Sequence, residues 1–168
     1  MASELRVDKI VPTGGVPTGG GGGIIQIKQG IITAPVSTGT SGSFTDTGLS
    51  ATITPTSNTS KVFCMVSLGS ISATAGTSTG FRLVRGSTDI GMPDSNSLQS
   101  GFTNIYDADQ QILASASFNY LDSPATTSAT TYKITWRNSS STSYLGRFNG
   151  SATDYNGIST LILMEVSG

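Results

Sequence analysis

Asp107 and Asp109 stand two residues apart in the stretch YDADQ, the spacing in this 168-residue chain that comes closest to a reactive pair. Side chains two apart in an extended segment share a face. Two such carboxylates could hold a calcium ion or serve as the acids of a glycoside hydrolase. No EF-hand spacing surrounds them and no third carboxylate is near, so they read instead as solvated loop acids. Other routes to catalysis are closed by what the chain lacks. It has no histidine, which removes the usual general base near neutral pH and the commonest zinc ligand. Ser-His-Asp and Cys-His hydrolase arrangements cannot be assembled within one chain. Lys9, Lys28, Lys61 and Lys133 sit in no Ser-x-x-Lys spacing that would activate a serine. Cys64 is the single cysteine and lies inside the apolar run KVFCMVSLG, so it reads as a buried, inert thiol with no internal disulfide to form. The glycine-rich VPTGGVPTGGGGG (11–23) runs into the strand-like IIQIKQ, without the Gly-Lys-Ser/Thr ending or following helix of a phosphate-binding loop. No catalytic centre, no metal site and no cofactor is expected.

The composition points to a different kind of protein. Only 11% of residues are charged, against roughly a quarter in average soluble proteins, and Ser, Thr and Gly take their place. A net charge of -1 argues against a nucleic-acid surface, which needs clustered Lys and Arg to neutralise phosphates. The opening MASELRVDKI has no apolar stretch of signal-peptide length, and nothing approaches the ~20 apolar residues of a membrane span. Synthesis in a cytoplasm, without membrane insertion, is the expectation.

Three regions follow along the chain. Residues 1–10 alternate Leu5, Val7 and Ile10 with charged neighbours, as an extended segment with one sticky face does. Residues 11–23 repeat VPTGG, where Pro12 and Pro17 oppose helix and the glycine pairs permit left-handed turns, and read as a linker. Residues 24–168 hold the core, with strands predicted at 24–34, 48–55, 61–71, 80–86, 88–92, 111–121, 130–138, 141–148 and 158–166. Turn-rich segments such as TPTSNTS and DSPATTSA separate them. The predicted fold is all-β, an antiparallel jelly-roll-like β-sandwich of about eight to ten strands.

Alternation assigns faces. In TYKITWRN, Tyr132, Ile134 and Trp136 share one side, and Lys133, Thr135 and Arg137 the other. The 61–71 strand carries Val62, Cys64 and Val66 on one side with Phe63 and Met65 on the other. The last strand sets Leu161, Leu163 and Glu165 against Ile162, Met164 and Val166. A strand apolar on both faces needs cover on both. Either a neighbouring subunit supplies it, or these are central strands of a well-covered sandwich.

The opening SELRVDKIVPTGGVPTGGGGGIIQ resembles the N-terminus of small structural and tail-fibre-like proteins of marine tailed bacteriophages, especially those infecting cyanobacteria. The phrases FTDTGLSATITPTSNTSKVFCMVSL, FRLVRGSTDIG, FNYLDSPATTSATTYKITWR and STLILMEV resemble trimeric jelly-roll modules of phage fibre tips, which are similar to the tumour-necrosis-factor and complement globular-head fold. The resemblance implies a non-enzymatic virion protein, made in the host bacterium and assembled as a homotrimer. Leu5, Val7 and Ile10 would anchor it to a larger phage protein of the tail, fibre or capsid. No repetitive shaft lies between opening and head, which favours a short fibre, a fibre tip or a capsid-mounted decoration over a long fibre. Outer loops would face the host, with Tyr106, Asp107, Asp109, Tyr144, Arg147, Phe148 and Tyr155 as candidates for contact with a surface glycan or protein. A head fibre or cement protein on the shell is the alternative implied, and a glycan-cleaving fibre enzyme a remote one.

Overall fold

A computed structural model describes residues 23–39, 42–94, 100–109, 111–151 and 153–168. The predicted anchor residues Leu5, Val7 and Ile10, and the linker up to residue 22, lie outside the described residues. Eleven strands follow one another: β1 (Ile24–Ile32), β2 (Val36–Thr38), β3 (Thr45–Ile53), β4 (Lys61–Ala73), β5 (Thr77–Arg85), β6 (Thr88–Ile90), β7 (Thr103–Asp107), β8 (Ala114–Asp122), β9 (Thr130–Asn138), β10 (Ser143–Leu145) and β11 (Ser159–Val166). All pairings are antiparallel and fall into two sheets.

In the first sheet β4 is the spine. Its residues 61–67 pair with β11 and 71–73 with β10 along one edge, while β8 takes the other edge. β1 then flanks β11, and β2 flanks β10. Thus β10 and β11 share one strand position, as do β1 and β2. In the second sheet the order is β3-β9-β5, with β7 and β6 sharing the far edge of β5. The eleven segments therefore occupy eight positions, and successive positions step between the sheets in the manner of a jelly roll. The all-β sandwich expected from alternation is the fold observed. Each of the nine predicted stretches overlaps a strand, and the two unforeseen ones are the short β2 and β7.

The core lies between the sheets. Trp136, Phe81, Leu83 and Ile134 from the second sheet meet Leu161, Leu163, Cys64, Val66 and Leu68 from the first, each at most 2% exposed. Phe81 lies 6.2 Å from Trp136 and 6.4 Å from Phe102, which stacks on Phe118 at 4.8 Å; this ladder of rings carries the core out to β8. Cys64 is fully buried as expected, and burial first, then the charge of Asp122, pushes its thiol up to about 12. It is not a nucleophile near neutral pH. Where β1 passes β3 the two backbones nearly touch. A Cβ on Gly30 would stand 2.0 Å from the Ser50 carbonyl oxygen, so only glycine fits there.

Polar layers close both ends of the core. At one end β8 delivers Asp122, 5% exposed, whose carboxylate accepts two 2.8 Å bonds from Arg85 Nη1 and one of 2.7 Å from the Tyr132 hydroxyl. Val62 separates it from a second buried carboxylate, Glu165, which pairs with the same residue from the opposite side. Glu165 accepts from Gln26 Nε2 at 2.6 Å and from the Thr56 hydroxyl and backbone N–H at 2.6 and 2.7 Å. Burial pushes its pKa up, but the bonds from Thr56 and Gln26 outweigh that and leave it below the ordinary 4.5. A depressed folded-state value stabilises the fold above the unfolded pKa, and the contribution is lost as pH falls through the folded one. Wild type is therefore expected to melt above Glu165→Gln at pH 7, with the gap closing below about pH 4.5; thermal melts between pH 3 and 7 test this. A gap that widened in acid would contradict the assignment.

The other end is built mainly of hydroxyl and amide groups, with the carboxylate of Asp107 beside Thr77. Thr77 meets Thr74 and Ser140 at 3.2 Å, Thr79 meets Ser143 at 2.6 Å, and the Asn138 amide donates to the Thr38 and Ser141 carbonyls.

Candidate functional site

The outward faces of the two sheets have opposite chemistry. On the second sheet the outward residues of β3, β9 and β5 are mostly hydroxylated or charged. Lys133 pairs with Asp46 at 2.8 Å, Arg82 with Asp89 at 2.7 Å, and the Thr52 and Thr131 hydroxyls meet at 2.7 Å. Arg82 also lies over the Phe44 ring, 3.8 Å from its centroid. Such a face is at home in water.

On the first sheet the pairing register lines up Ile27, Met164, Phe63 and Leu121 across β1, β11, β4 and β8. The next outward row is Gln29, Ile162, Met65 and Asn119, and the one beyond it is Ile31, Thr160, Ser67 and Ser117, so the apolar character is strongest in the first row and along β1. Ile27, Ile31 and Leu121 are 56%, 53% and 49% exposed. Lys61, at one end, is the only charge in these rows and their continuation through Val166. Isolated apolar side chains on a surface are ordinary; a continuous sheet face of them marks an interface. Alternation alone leaves the cover of these strands open between a neighbouring subunit and the sandwich itself. Within the chain, nothing described covers this half of the face.

The other half is covered by the chain itself. Between β10 and β11 the backbone makes an excursion, residues 146–158, whose roots are tied together by Gly157 N–H to the Gly146 carbonyl at 3.2 Å. Gly146 N–H donates in turn to the carbonyls of Gly69 and Ser70, where β4 bulges. Close-ended loops of this length pack on their own side chains. This one lies over outward-facing Ser72, which is 1% exposed and donates its hydroxyl to the Arg147 carbonyl at 2.9 Å. Arg147 stacks its guanidinium on the Tyr144 ring at 4.1 Å, and Phe148 meets Tyr155 edge-on at 5.9 Å. Phe148 and Tyr155 line a groove of about 240 Å³ with Gln111 and Leu113 from the approach to β8.

Four of the contact residues expected from sequence, Tyr144, Arg147, Phe148 and Tyr155, are thus brought together. The remainder are not with them. Tyr106 stands on β7, on the outward face of the second sheet, 59% exposed. Asp107 is not a solvated loop acid: it is the last residue of β7, pairs with Thr77, and is 0% exposed. Its Oδ1 accepts from Gln111 N–H at 3.2 Å, and Oδ2 has no hydrogen-bond partner among the described residues. The expectation failed because FTNIYD is too polar to read as a strand, whereas alternation places Thr103, Ile105 and Asp107 inward. Asp109 lies exposed in the turn that follows. The two aspartates therefore differ in environment and make no paired acid site. Among the described residues no group of three or more His, Cys, Asp or Glu could hold a metal ion.

The apolar rows of the first sheet were legible only strand by strand in the sequence. What was missed is the register that joins them into one surface. No protein-family model matches this chain, and no curated protein is similar to it in sequence.

Proposed function

We propose that this chain is a non-enzymatic structural protein of a tailed-bacteriophage virion, a short homotrimeric fibre or fibre tip. It attaches through its N-terminal segment and presents the jelly roll for host-surface recognition. The observation that carries the proposal is the contrast between the two outward faces: one hydroxylated and charged, the other crossed by an apolar row, Ile27, Met164, Phe63 and Leu121, joined by register across four strands, with Lys61 as its one charge. Half-exposed Ile and Leu side chains such as Ile27, Ile31 and Leu121 gain roughly 1 kcal/mol each when a partner covers them. Three copies turning this face towards a common axis cover it and leave the polar sheets outside. Support for the virion comes from the resemblance of the opening SELRVDKIV and the body phrases to phage structural proteins. Support for a non-enzymatic role comes from the missing histidine and from the separation of Asp107 and Asp109 by burial.

Two measurements test the reading. Sedimentation of the purified chain is expected to give three times 17.2 kDa, about 52 kDa. Antibody labelling of particles is expected at tail or fibre positions, and the free protein should compete with virions for host cells. Label confined to the shell would make it a capsid decoration instead, and particles devoid of label would end the virion assignment.

A further inference from the structure

Exposed apolar groups gather at both margins of the first sheet. At the β8 margin stand Leu113, 42% exposed, and the tip of the 146–158 loop with Tyr155 at 67%. At the β1 margin stand Ile24, Ile27 and Ile31, each more than half exposed. The loop tip is held in place. Tyr155 adopts a left-handed φ of 60°, unfavourable for a residue with a Cβ. The loop root is fastened by hydrogen bonds at Gly146 and packed against β4: a Cβ on Gly69 would fall 2.6 Å from the Ile158 carbonyl, and one on Gly157 2.5 Å from Ser70 Oγ. A backbone kept in such a conformation points to a function for the side chain it presents.

We infer that the 146–158 loop is a clasp between copies of this chain, in which the groove of Tyr155, Phe148 and Leu113 receives the β1 margin of the next copy. The inference rests on the trimer reading above. Two considerations select the occupant. A closed ring of more than two copies joins unlike patches, so each copy needs two separate apolar margins; this sheet has them at opposite edges, β8 and β1. Among the described residues the groove is lined by Gln111, Leu113, Phe148 and Tyr155, with no charged side chain, and the Tyr144 ring nearby already carries the Arg147 guanidinium. The loop aromatics that sequence reading assigned to the host thus face a sister subunit. The host-facing role is left to the outward side of the second sheet, where Tyr106 stands.

The test uses the full chain carrying Tyr155→Ser and Leu113→Ser, diluted in a sedimentation series beside wild type. The expected result is a trimer that falls apart at a concentration at least tenfold higher, with an unchanged circular-dichroism spectrum. A second variant pair, Tyr155→Cys with Ile27→Cys, is treated with a short bis-maleimide; buried Cys64 stays silent. Covalent trimers and nothing larger are expected from the pair, and no cross-link from either single cysteine. Trimers of unchanged strength in the serine variant would overturn the clasp and leave the trimer standing, as would single-cysteine dimers, which signal a like-to-like contact. Protection of the Tyr155 groove by a host polysaccharide in intact trimers would overturn it in favour of a sugar site. A wild type that sediments as a monomer would remove the trimer and the clasp together.

Discussion

Met164→Arg is expected to yield a folded monomer. Met164 lies in the middle of the apolar row, between Ile27 on β1 and Phe63 on β4, and points away from the core. Its replacement leaves the inward residues Leu161 and Leu163, both 0% exposed, untouched, so the melting temperature of the isolated chain should move little. Assembly is another matter. In a trimer closed over this face three guanidinium groups would enter the apolar row, with no carboxylate among its described residues to pair with. Burying an unpaired charge of this kind costs several kcal/mol. A loss of about 4 kcal/mol corresponds to roughly a thousandfold weaker association. Sedimentation and size-exclusion chromatography read the result directly. Placing arginine at Thr52 on the outward face of the second sheet is the control, and should leave the assembly intact. Equal effects of the two substitutions would mean that the contrast between the faces has no bearing on assembly.

Asp122→Ala is expected to produce the largest loss of stability among single polar substitutions. The carboxylate joins the sheets at one end of the core: it comes from β8 in the first sheet, while Arg85 and Tyr132 belong to β5 and β9 in the second. Removing it leaves the Tyr132 hydroxyl, on a side chain 0% exposed, without its acceptor. An orphaned buried hydroxyl costs about 1 to 3 kcal/mol. Arg85 adds less than a sealed ion pair would, because its side chain is 28% exposed and can turn to water. Together the loss should be about 2 to 4 kcal/mol, or a fall of roughly 5 to 15 °C in Tm for a chain of this size. Burial, followed by the bond to Asp122, raises the Tyr132 pKa, so the phenol stays protonated as the donor throughout the accessible pH range. A double-mutant cycle isolates the contact. With Tyr132→Phe already present, Asp122→Ala should cost markedly less than it does alone. Strict additivity of the two would show that the hydroxyl does not depend on this carboxylate.

Much of the fold was legible from local pattern. Strict alternation in TYKITWRN put Tyr132, Ile134 and Trp136 inward and Lys133 and Arg137 outward, and the structure agrees because the two-residue period of a strand is set by backbone geometry alone. For the same reason Leu161, Leu163 and Glu165 share the buried side of β11, with Ile162 and Met164 opposite. The absence of histidine and of recognisable catalytic spacings limits the chemistry open to this chain. Legibility ended where a residue's environment depends on partners distant in sequence. Asp107 reads as a loop acid until β7 pairs with β5 and carries it inside. Glu165 reads as a stray charge at the end of an apolar strand until Gln26, 139 residues away, and Thr56, 109 away, supply its hydrogen bonds. Tyr106 and Tyr155 look alike as loop aromatics, yet one stands on the outward face of the second sheet and the other on a loop folded over the first. Sequence by itself determined nine of the eleven strands, the inward and outward side of most of them, and the poverty of catalytic groups. Tertiary structure alone decided which apolar sides the chain covers and which it leaves bare, because side-chain alternation is a local property whereas register across a sheet is fixed by long-range pairing.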